Sequence, residues 1–322
     1  MKSASAALEQ VSSSGWWPIA KRVLVSAFTL GVLALIVWKA KDIDWPAVGQ
    51  VLREISPLTL ATAAGFALLS FGIYGSFELF GWHYLNHPLA RWRMVGVAMA
   101  SYAINLNLGT IVGGVGFRYR LYARQGLHVP EVAKLVGLAM LINWLAYPLL
   151  LGMCLVFPVV TLPADWNLSP DTLRWAGLVL WLVPLAYLAA CTWSPRRHWT
   201  LRGQNVSLPS GRMALLQLGL SAANWLANAA AIYVLMPEGV SYLTVVSALM
   251  VSAVAGVLAH VPGGLGVLEG VFVALLGAQV PHAELIGALL AYRAVYYLGP
   301  LLLAGVAYLV FETTTKRLAA EA

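Results

Sequence analysis

The sequence predicts an all-α polytopic membrane protein with about six spanning helices and two re-entrant hairpins broken by glycine. Of its 322 residues, 60% are hydrophobic and 10% are charged, and its mean hydropathy is +0.78. A soluble fold of this length does not bury so much apolar surface. The apolar residues form segments about 20 residues long, the length that crosses a bilayer. Two further apolar segments are each interrupted by a Gly-Gly-x-Gly turn.

Six uninterrupted segments have the length and apolarity of spanning helices. The first could be mistaken for a signal peptide because Lys21 and Arg22 precede it. It has no small-residue cleavage site, and Trp38-Lys39 at its end is typical of a retained anchor. In chain order the segments run roughly over 22 to 39, 57 to 85, 134 to 160, 173 to 193, 213 to 236 and 284 to 311.

Basic residues cluster beside these segments, and the positive-inside tendency places the clusters in the cytoplasm. These clusters explain the formal net charge of +7, so the charge does not indicate a nucleic-acid partner. Their positions also predict that both termini are cytoplasmic. Loops without a basic excess, at 163–171, 237–239 and 281–284, then face outward. The clusters are Lys21-Arg22, Arg91 and Arg93, Arg196, Arg197, Arg202 and Arg212, and Lys316-Arg317.

The sequence predicts one domain and little soluble structure. Residues 1–20 are rich in Ser and Ala and are expected to be a disordered cytoplasmic N-terminus, and 21–322 form a single transmembrane domain. Within it, 194–212 form a cytoplasmic loop whose alternating apolar residues indicate a small β-hairpin.

Two glycine-broken stretches, 94–128 and 241–280, are expected to be hairpins that enter the membrane from opposite faces. Basic residues flank both ends of the first stretch, whereas the links at both ends of the second face outward. Inverted-topology repeats produce such pairs of broken helices. A rival topology makes 94–112 a full span and puts 118–134 outside, but it places a basic cluster on the wrong face.

A four-letter echo supports the inverted relation. Asn143-Trp144-Leu145-Ala146 follows the first glycine turn, and Asn224-Trp225-Leu226-Ala227 precedes the second. This order excludes a simple tandem duplication. The alternative is chance in a chain with 13 tryptophans.

Charges close to the second turn predict a buried ion pair. At about 1.5 Å per helical residue, Glu269 lies about 18 Å and Arg293 about 15 Å from the outer face. Two roles remain open for the pair: a clamp that fixes the hairpin against the last helix, or contact with a substrate. Tyr292 and Tyr296 flank Arg293 and are further binding candidates, although packing is the commoner role of such aromatics.

Arg118 and Arg120 are the positive counterparts at the first turn. A lipid phosphate would satisfy either with a bidentate contact, and the alternative is snorkelling toward the cytoplasmic interface. Amides freed from helical bonding at Gly113, Gly114, Gly263 and Gly264 can also cradle a phosphate.

Other polar residues within the spans have simpler expected roles. Asn143 and Asn224 are candidates for substrate contact, with interhelical hydrogen bonding as the default. Glu78 is expected to snorkel to the nearby interface.

The sequence predicts no catalytic, cofactor or metal site. It contains neither a His-Glu-x-x-His helix nor a Gly-x-Ser-Gly nucleophile with a later histidine. Cys154 and Cys191 fall within predicted spans, where a free cysteine acts as a small hydrophobe. We therefore expect a protein that is not an enzyme.

Three strings in the chain resemble the flippase-like transmembrane family, which includes the transmembrane region of lysylphosphatidylglycerol synthases and stand-alone bacterial inner-membrane proteins. They are Val112-Gly113-Gly114-Val115-Gly116-Phe117-Arg118, His260-Val261-Pro262-Gly263-Gly264-Leu265-Gly266-Val267-Leu268-Glu269 and Leu290-Ala291-Tyr292-Arg293-Ala294-Val295-Tyr296-Tyr297. The likeness covers nearly the whole chain from about residue 20. We expect the chain to lack the soluble aminoacyl-transferase domain of the fused relatives, so the resemblance is not expected to extend to synthase activity.

The resemblance implies a lipid translocase that moves an anionic or aminoacylated phospholipid between leaflets of the bacterial inner membrane, through a cavity between the two hairpins. Membrane phospholipid is then the expected partner, with a homodimer and lipid-synthesis enzymes as further possible partners. Two alternatives stay open at this point: a transporter of a small polar solute or ion, and a non-transporting partner of lipid-metabolising enzymes.

Overall fold

The computed structural model describes residues 45–82, 89–109, 115–157, 169–201, 204–259 and 261–306. The expected first span, the N-terminal segment and the pair Gly113 and Gly114 lie outside these ranges. The helices are α1 Trp45–Glu54, α2 Pro57–Ser76, α3 Arg91–Leu108, α4 Arg118–Ala123, α5 Val129–Leu145, α6 Tyr147–Val156, α7 Pro170–Trp193, α8 Gly211–Tyr233, α9 Tyr242–Ala259, α10 Val267–Leu276 and α11 His282–Arg293.

Shorter helical turns extend two of the described helices and connect two others. A 3-10 turn, Phe77–Phe80, continues α2. Pro262–Gly264 forms a tight turn between α9 and α10. A π-helical turn, Ala294–Leu298, continues α11, and the helix runs on so that His282–Val306 is one apolar unit.

Six helical units among the described residues are long and apolar enough to cross a membrane, and the protein is an all-α polytopic membrane protein. Five match predicted segments: Pro57–Phe80, Val129–Val156, Pro170–Trp193, Gly211–Tyr233 and His282–Val306. The sixth is α9, which the sequence placed in the second hairpin. Its 18 residues extend about 27 Å, close to the roughly 30 Å of the hydrocarbon core.

Polar side chains cap the starts of four helices, and three of these, α5, α7 and α8, begin a few residues before their predicted apolar segments. The hydroxyl oxygens of Ser56, Ser169 and Ser210 accept hydrogen bonds from backbone N–H groups three residues later. At the start of α5, the Glu131 carboxylate accepts from the His128 N–H at 2.9 Å. Hydropathy alone misses such starts because the first helical turn is polar.

The main core joins α2, α8, α9, α10 and α11. Its buried side chains include Phe71 from α2, Ile232 from α8, Met250 from α9 and Phe272 from α10. A second cluster joins the start of α3 to the segment that follows α4. It includes Leu89, Met94, Tyr122, Leu127 and Leu135.

The first broken segment returns to the end from which it started. Helix α3 ends at Gly109, whose φ of 84° favours glycine. On the return through α4, the Tyr122 hydroxyl donates to the Met94 carbonyl at 3.4 Å. Leu127 then packs in the same cluster as Leu89, so the chain before α3 and the chain after α4 lie at one end of the bundle.

The second broken segment pairs a long arm, α9, with a short one, α10. Gly263 and Gly264 in the turn have φ angles of 66° and 57°, and Gly266 at the start of α10 has 74°. Residues with side chains rarely adopt these left-handed angles, so the glycines are needed for the turn. The 10 residues of α10 extend only about 15 Å, which is half of the hydrocarbon core.

The two broken segments meet at their ends. A methyl group at Gly263 would lie 3.2 Å from the Leu106 carbonyl oxygen and 3.5 Å from that of Asn107. The Asn107 amide donates to the Tyr297 carbonyl at 3.1 Å. The C-terminal end of α3 therefore contacts both the second glycine turn and the last helix.

Between α7 and α8 lies a small antiparallel β-hairpin in the region where the sequence predicts one. Its strands, β1 His198–Leu201 and β2 Gln204–Ser207, pair in the register His198 with Ser207 and Leu201 with Gln204.

Whether the first hairpin is re-entrant is tested by labelling. In a variant with Cys154 and Cys191 changed to Ser, cysteines from Arg91→Cys and His128→Cys should react with an impermeant maleimide from the same side of the membrane. Both positions are exposed and lie at one end of the bundle. Reaction from opposite sides would instead support the rival topology with a full span over 94–112.

Close packing of α6 on α7 depends on two glycines. A methyl group at Gly177 would lie 2.6 Å from the Gly152 carbonyl oxygen, a backbone atom that cannot rotate away. Gly177→Ala should therefore lower the free energy of unfolding by about 1–3 kcal/mol. The control is Gly65→Ala, because Gly65 is exposed on α2 with no atom within 4 Å of the added methyl. Thermal unfolding in detergent compares the two; equal melting temperatures would contradict the packing argument.

Candidate functional site

Arg293 and Glu269 form the ion pair that their estimated depths predict, and this prediction is confirmed. The Arg293 Nε donates to Glu269 Oε1, and its Nη2 donates to Oε2 at 3.0 Å. The same guanidinium donates from Nη1 to the Gly263 carbonyl at 3.0 Å and from Nη2 to the Gly264 carbonyl at 2.8 Å. All three guanidinium nitrogens and both carboxylate oxygens are thus engaged within the protein.

The geometry around Arg293 fixes the second glycine turn. The left-handed glycines direct two carbonyls away from helical partners, and Arg293 on the last helix binds both. Glu269 lies in the first turn of α10, where the helix dipole favours a negative charge. The Tyr297 ring lies 5.1 Å from the guanidinium carbon and completes the enclosure. This arrangement has the character of a clamp.

Arg118 is also buried and paired, but its partner is one that the sequence did not predict. Its Nε lies 3.0 Å from Glu78 Oε1, and both side chains are at most 1% exposed. The contact is an ion pair by distance but lacks hydrogen-bond alignment. Among the described residues, Arg118 Nε and both Glu78 oxygens have no hydrogen-bond partner. The guanidinium also makes one long contact, from Nη2 to the Tyr74 hydroxyl at 3.4 Å.

The expectation that Glu78 snorkels to the interface is wrong. Glu78 lies in the 3-10 turn after α2, which directs its carboxylate inward to Arg118 instead of along the helix toward water. One signal in the sequence could have found it. Glu78 is the only Asp or Glu in the apolar segment 57 to 85, and Arg118 required an anionic partner at membrane depth.

Arg120 does not join Arg118. Two residues along a helix are about 200° apart, so the two side chains leave α4 on opposite faces. Arg118 is 1% exposed, whereas Arg120 is exposed. A role for Arg120 in substrate contact therefore stays a prediction that the Arg118 environment does not support.

The two Asn-Trp pairs face each other across α5 and α8. The Asn224 amide donates to the Asn143 side-chain oxygen at 3.2 Å. The Trp225 indole donates to the Asn143 carbonyl at 2.8 Å. The echo in the sequence thus corresponds to a direct contact between the two halves of the chain.

A hydrogen-bonded and aromatic network leads from this contact toward Arg118. The Ser70 hydroxyl lies 2.8 Å from the Asn224 side-chain oxygen and 2.7 Å from the Tyr296 hydroxyl. Tyr296 reaches the Tyr102 hydroxyl at 3.5 Å, and Tyr102 stacks on Tyr74 with ring centroids 3.8 Å apart. Tyr74 is the residue that contacts Arg118.

Tyr292 lies beside this network and is satisfied within the protein. It is 1% exposed, and its hydroxyl donates to the Asn228 side-chain oxygen at 2.6 Å. The structure therefore brings the predicted residues Tyr292, Tyr296, Asn143 and Asn224 into a buried core network.

Two buried polar groups near the start of the first turn lack partners. Ser101 Oγ and Asn105 Oδ1 have no hydrogen-bond partner among the described residues. They are four residues apart and share one face of α3. The sequence did not predict Ser101, since a lone serine in a span carries no signal.

Other chemical sites are not evident in the described ranges. No group of three or more His, Cys, Asp or Glu side chains there is placed to hold a metal ion. Two surface grooves of about 470 and 410 Å³ lie on α7 and between the 3-10 turn, α5 and α8. Neither is lined by Arg118 or Arg293.

Comparison with known families decides what kind of membrane protein this is. The model of the lysylphosphatidylglycerol synthase transmembrane region matches residues 22–304, which contain both broken hairpins and both arginines. The chain belongs to this family.

Relatives of this family member include both stand-alone and fused proteins. It is 41% identical over 306 residues to inner membrane protein YbhN of Escherichia coli K12, covering 95% of this chain and 96% of YbhN. An uncharacterized Synechocystis protein is 28% identical over 85% of each chain. Phosphatidylglycerol lysyltransferase of Staphylococcus aureus is 28% identical over 65% of this chain but only 24% of its own length.

Charge reversal tests the Arg293 clamp. Glu269→Arg and Arg293→Glu alone should each lower the free energy of unfolding by about 3–5 kcal/mol, because each creates an uncompensated buried charge. The double variant should yield more folded protein than either single variant. It should yield less than wild type, because a carboxylate at position 293 cannot donate to the carbonyls of Gly263 and Gly264. Size-exclusion yield and melting temperature provide the measurement; a double variant no better than the singles would show that the two side chains do not act as a pair.

Proposed function

We propose that this protein is an inner-membrane lipid translocase. It moves an anionic or aminoacylated phospholipid between leaflets, and Arg118 binds the lipid phosphate. The observation that carries the proposal is the difference between the two buried arginines. Arg293 has every nitrogen engaged, whereas Arg118 has a buried Nε without a hydrogen-bond partner among the described residues.

A buried arginine whose Nε lacks a hydrogen-bond partner favours an anionic ligand. The planar guanidinium matches two phosphate oxygens, and such contacts are strongest where water is excluded. Arg118 is 1% exposed and begins the helix α4 that follows the first Gly-Gly-x-Gly string of the sequence. Lipid acyl chains can stay in the bilayer while the headgroup occupies such a position.

Family membership supports a lipid as the ligand. A relative of this chain is named for lysine transfer to phosphatidylglycerol, and the part of that enzyme matched here is about a quarter of its length. We infer that the shared transmembrane region binds the lipid and that this chain performs no catalysis. The relative YbhN is named as an inner membrane protein, which supports the same location here.

In this proposal, the contact between the two hairpin ends opens so that the lipid headgroup can pass. The second glycine turn lies against the carbonyls of Leu106 and Asn107, close to where the first turn begins. A shift of α3 and α4 relative to the Arg293 clamp would open this contact without breaking the clamp itself. The phosphate on Arg118 would then pass between the two broken segments.

One observation favours a second candidate function. In this conformation both arginines have carboxylate partners within the protein. A non-transporting partner of lipid-metabolising enzymes needs no ligand at either arginine. The two functions differ in whether Arg118 exchanges its partner.

Arg118→Lys separates these functions with little risk to the fold. The change keeps a positive charge beside Glu78 but removes the planar fork, and we expect translocation to fall at least about tenfold. That estimate assumes loss of one charged hydrogen bond, worth about 1.5–3 kcal/mol. A leaflet-specific assay with fluorescent phosphatidylglycerol in vesicles measures the rate.

Two further variants control this experiment. Arg124→Lys makes the same exchange at an exposed position after α4 and should leave the rate unchanged. Arg118→Ala strands the buried Glu78 carboxylate, so the neutral pair Arg118→Met with Glu78→Gln is the better deletion: it should fold but not transport. Wild-type rates in folded Arg118→Lys and in the neutral pair would remove Arg118 from the mechanism.

A further inference from the structure

We infer that Glu78 is a proton-binding site whose protonation accompanies lipid binding at Arg118, so that lipid and proton cross together. This inference rests on the proposed function and names its coupling ion. Glu78 and Arg118 are each at most 1% exposed and 3.0 Å apart at their nearest charged atoms. Arg118 therefore cannot accept a phosphate in that direction unless Glu78 gives up the contact.

Glu78 and Glu269, the carboxylates paired with Arg118 and Arg293, differ in a way that suits this role. Both oxygens of Glu269 accept hydrogen bonds from Arg293. Neither oxygen of Glu78 has a hydrogen-bond partner among the described residues. A carboxylate that is held only by charge loses that stabilisation as soon as the opposite charge is shared with a ligand.

If a phosphate displaces Glu78 from Arg118, the ionised Glu78 carboxylate is left buried without a positive partner. With the lipid phosphate on Arg118, an ionised Glu78 would be a bare anion in an apolar environment, next to a second anion. One proton taken from the aqueous phase onto a Glu78 oxygen makes a neutral carboxylic acid. The net charge of Glu78 and Arg118 is zero before binding, and with the proton and the phosphate monoanion it is zero again.

The described parts of α2, α3 and α4 offer no other carboxylate for this proton. Arg118 on α4 is the charged group that contacts Glu78, and the Tyr74 hydroxyl on α2 contacts Arg118. Helix α3 contributes Tyr102, which stacks on Tyr74, and its basic residues Arg91 and Arg93 are exposed at its start.

On α5, which also packs against the 3-10 turn, the ionisable residues lie near its start. Glu131 bonds to the His128 N–H, and Lys134 is exposed. The described parts of α2, α3 and α4 contain no Asp or Glu.

Release on the far side reverses the exchange. When the phosphate leaves Arg118, Glu78 loses its proton to that aqueous phase and pairs with Arg118 again. No covalent bond other than the O–H bond forms or breaks. One lipid anion and one proton have moved in the same direction.

The experiment uses the purified full chain in vesicles containing fluorescent phosphatidylglycerol, with a pH difference imposed across the membrane. One proton per lipid predicts that a difference of one pH unit supports about a tenfold excess of labelled lipid in the leaflet facing the alkaline side. Protein-free vesicles give the background. Glu78→Gln imitates the protonated state and should translocate without responding to the gradient, whereas Glu131→Gln should behave as wild type.

The outcomes separate this inference from the proposed function. Wild-type translocation that ignores the gradient overturns the inference alone, and an unchanged gradient response in folded Glu78→Gln overturns the assignment to Glu78. No translocation under any gradient overturns the proposed function as well. If Glu78→Gln does not fold, a pH-sensitive dye inside wild-type vesicles decides: proton uptake should accompany phosphatidylglycerol movement in a ratio of about one, and lipid movement without proton uptake would refute the coupling.

Discussion

Arg293 makes four hydrogen bonds that hold the second broken hairpin in place, two to Glu269 and two to the carbonyls of Gly263 and Gly264. A membrane interior has no water to satisfy unwound backbone, so the left-handed turn is stable only where protein supplies donors. Because the guanidinium comes from the last helix, the turn is fixed to α11. The contacts of that turn with the end of α3 depend on this fixed position.

The second buried arginine, Arg118, is bonded less completely than Arg293. Every guanidinium nitrogen of Arg293 has a hydrogen-bond partner, so this residue has a structural role. Arg118 meets Glu78 at ion-pair distance without aligned hydrogen bonds, and its other contact is a long one to Tyr74. Buried ion pairs contribute to stability only when hydrogen bonds complete them. The incomplete pair is therefore the one that a ligand can most readily replace, and our functional proposals follow from that difference.

A continuous polar network leads from the contact between Asn143 and Asn224 to the Arg118 site. Asn143 and Asn224 bond to each other, Ser70 connects Asn224 to Tyr296, and Tyr296 reaches Tyr102 beside the Arg118 site. Each of these groups would be costly to bury alone. Their mutual satisfaction ties α2, α5, α8 and the last helix into one unit, against which α3 and α4 present Arg118.

The sequence by itself determined the fold class, five of the spans and the Glu269–Arg293 pair, because apolar length, broken glycine turns and helical rise are local properties. It also indicated where the β-hairpin would form. It misplaced the start of α5 by five residues and did not count α9 among the spans. Only the tertiary structure decided that Glu78 turns inward to Arg118 and that Arg120 does not. Side-chain direction after a 3-10 turn, and the bonds that each arginine completes, depend on neighbours far apart in the chain.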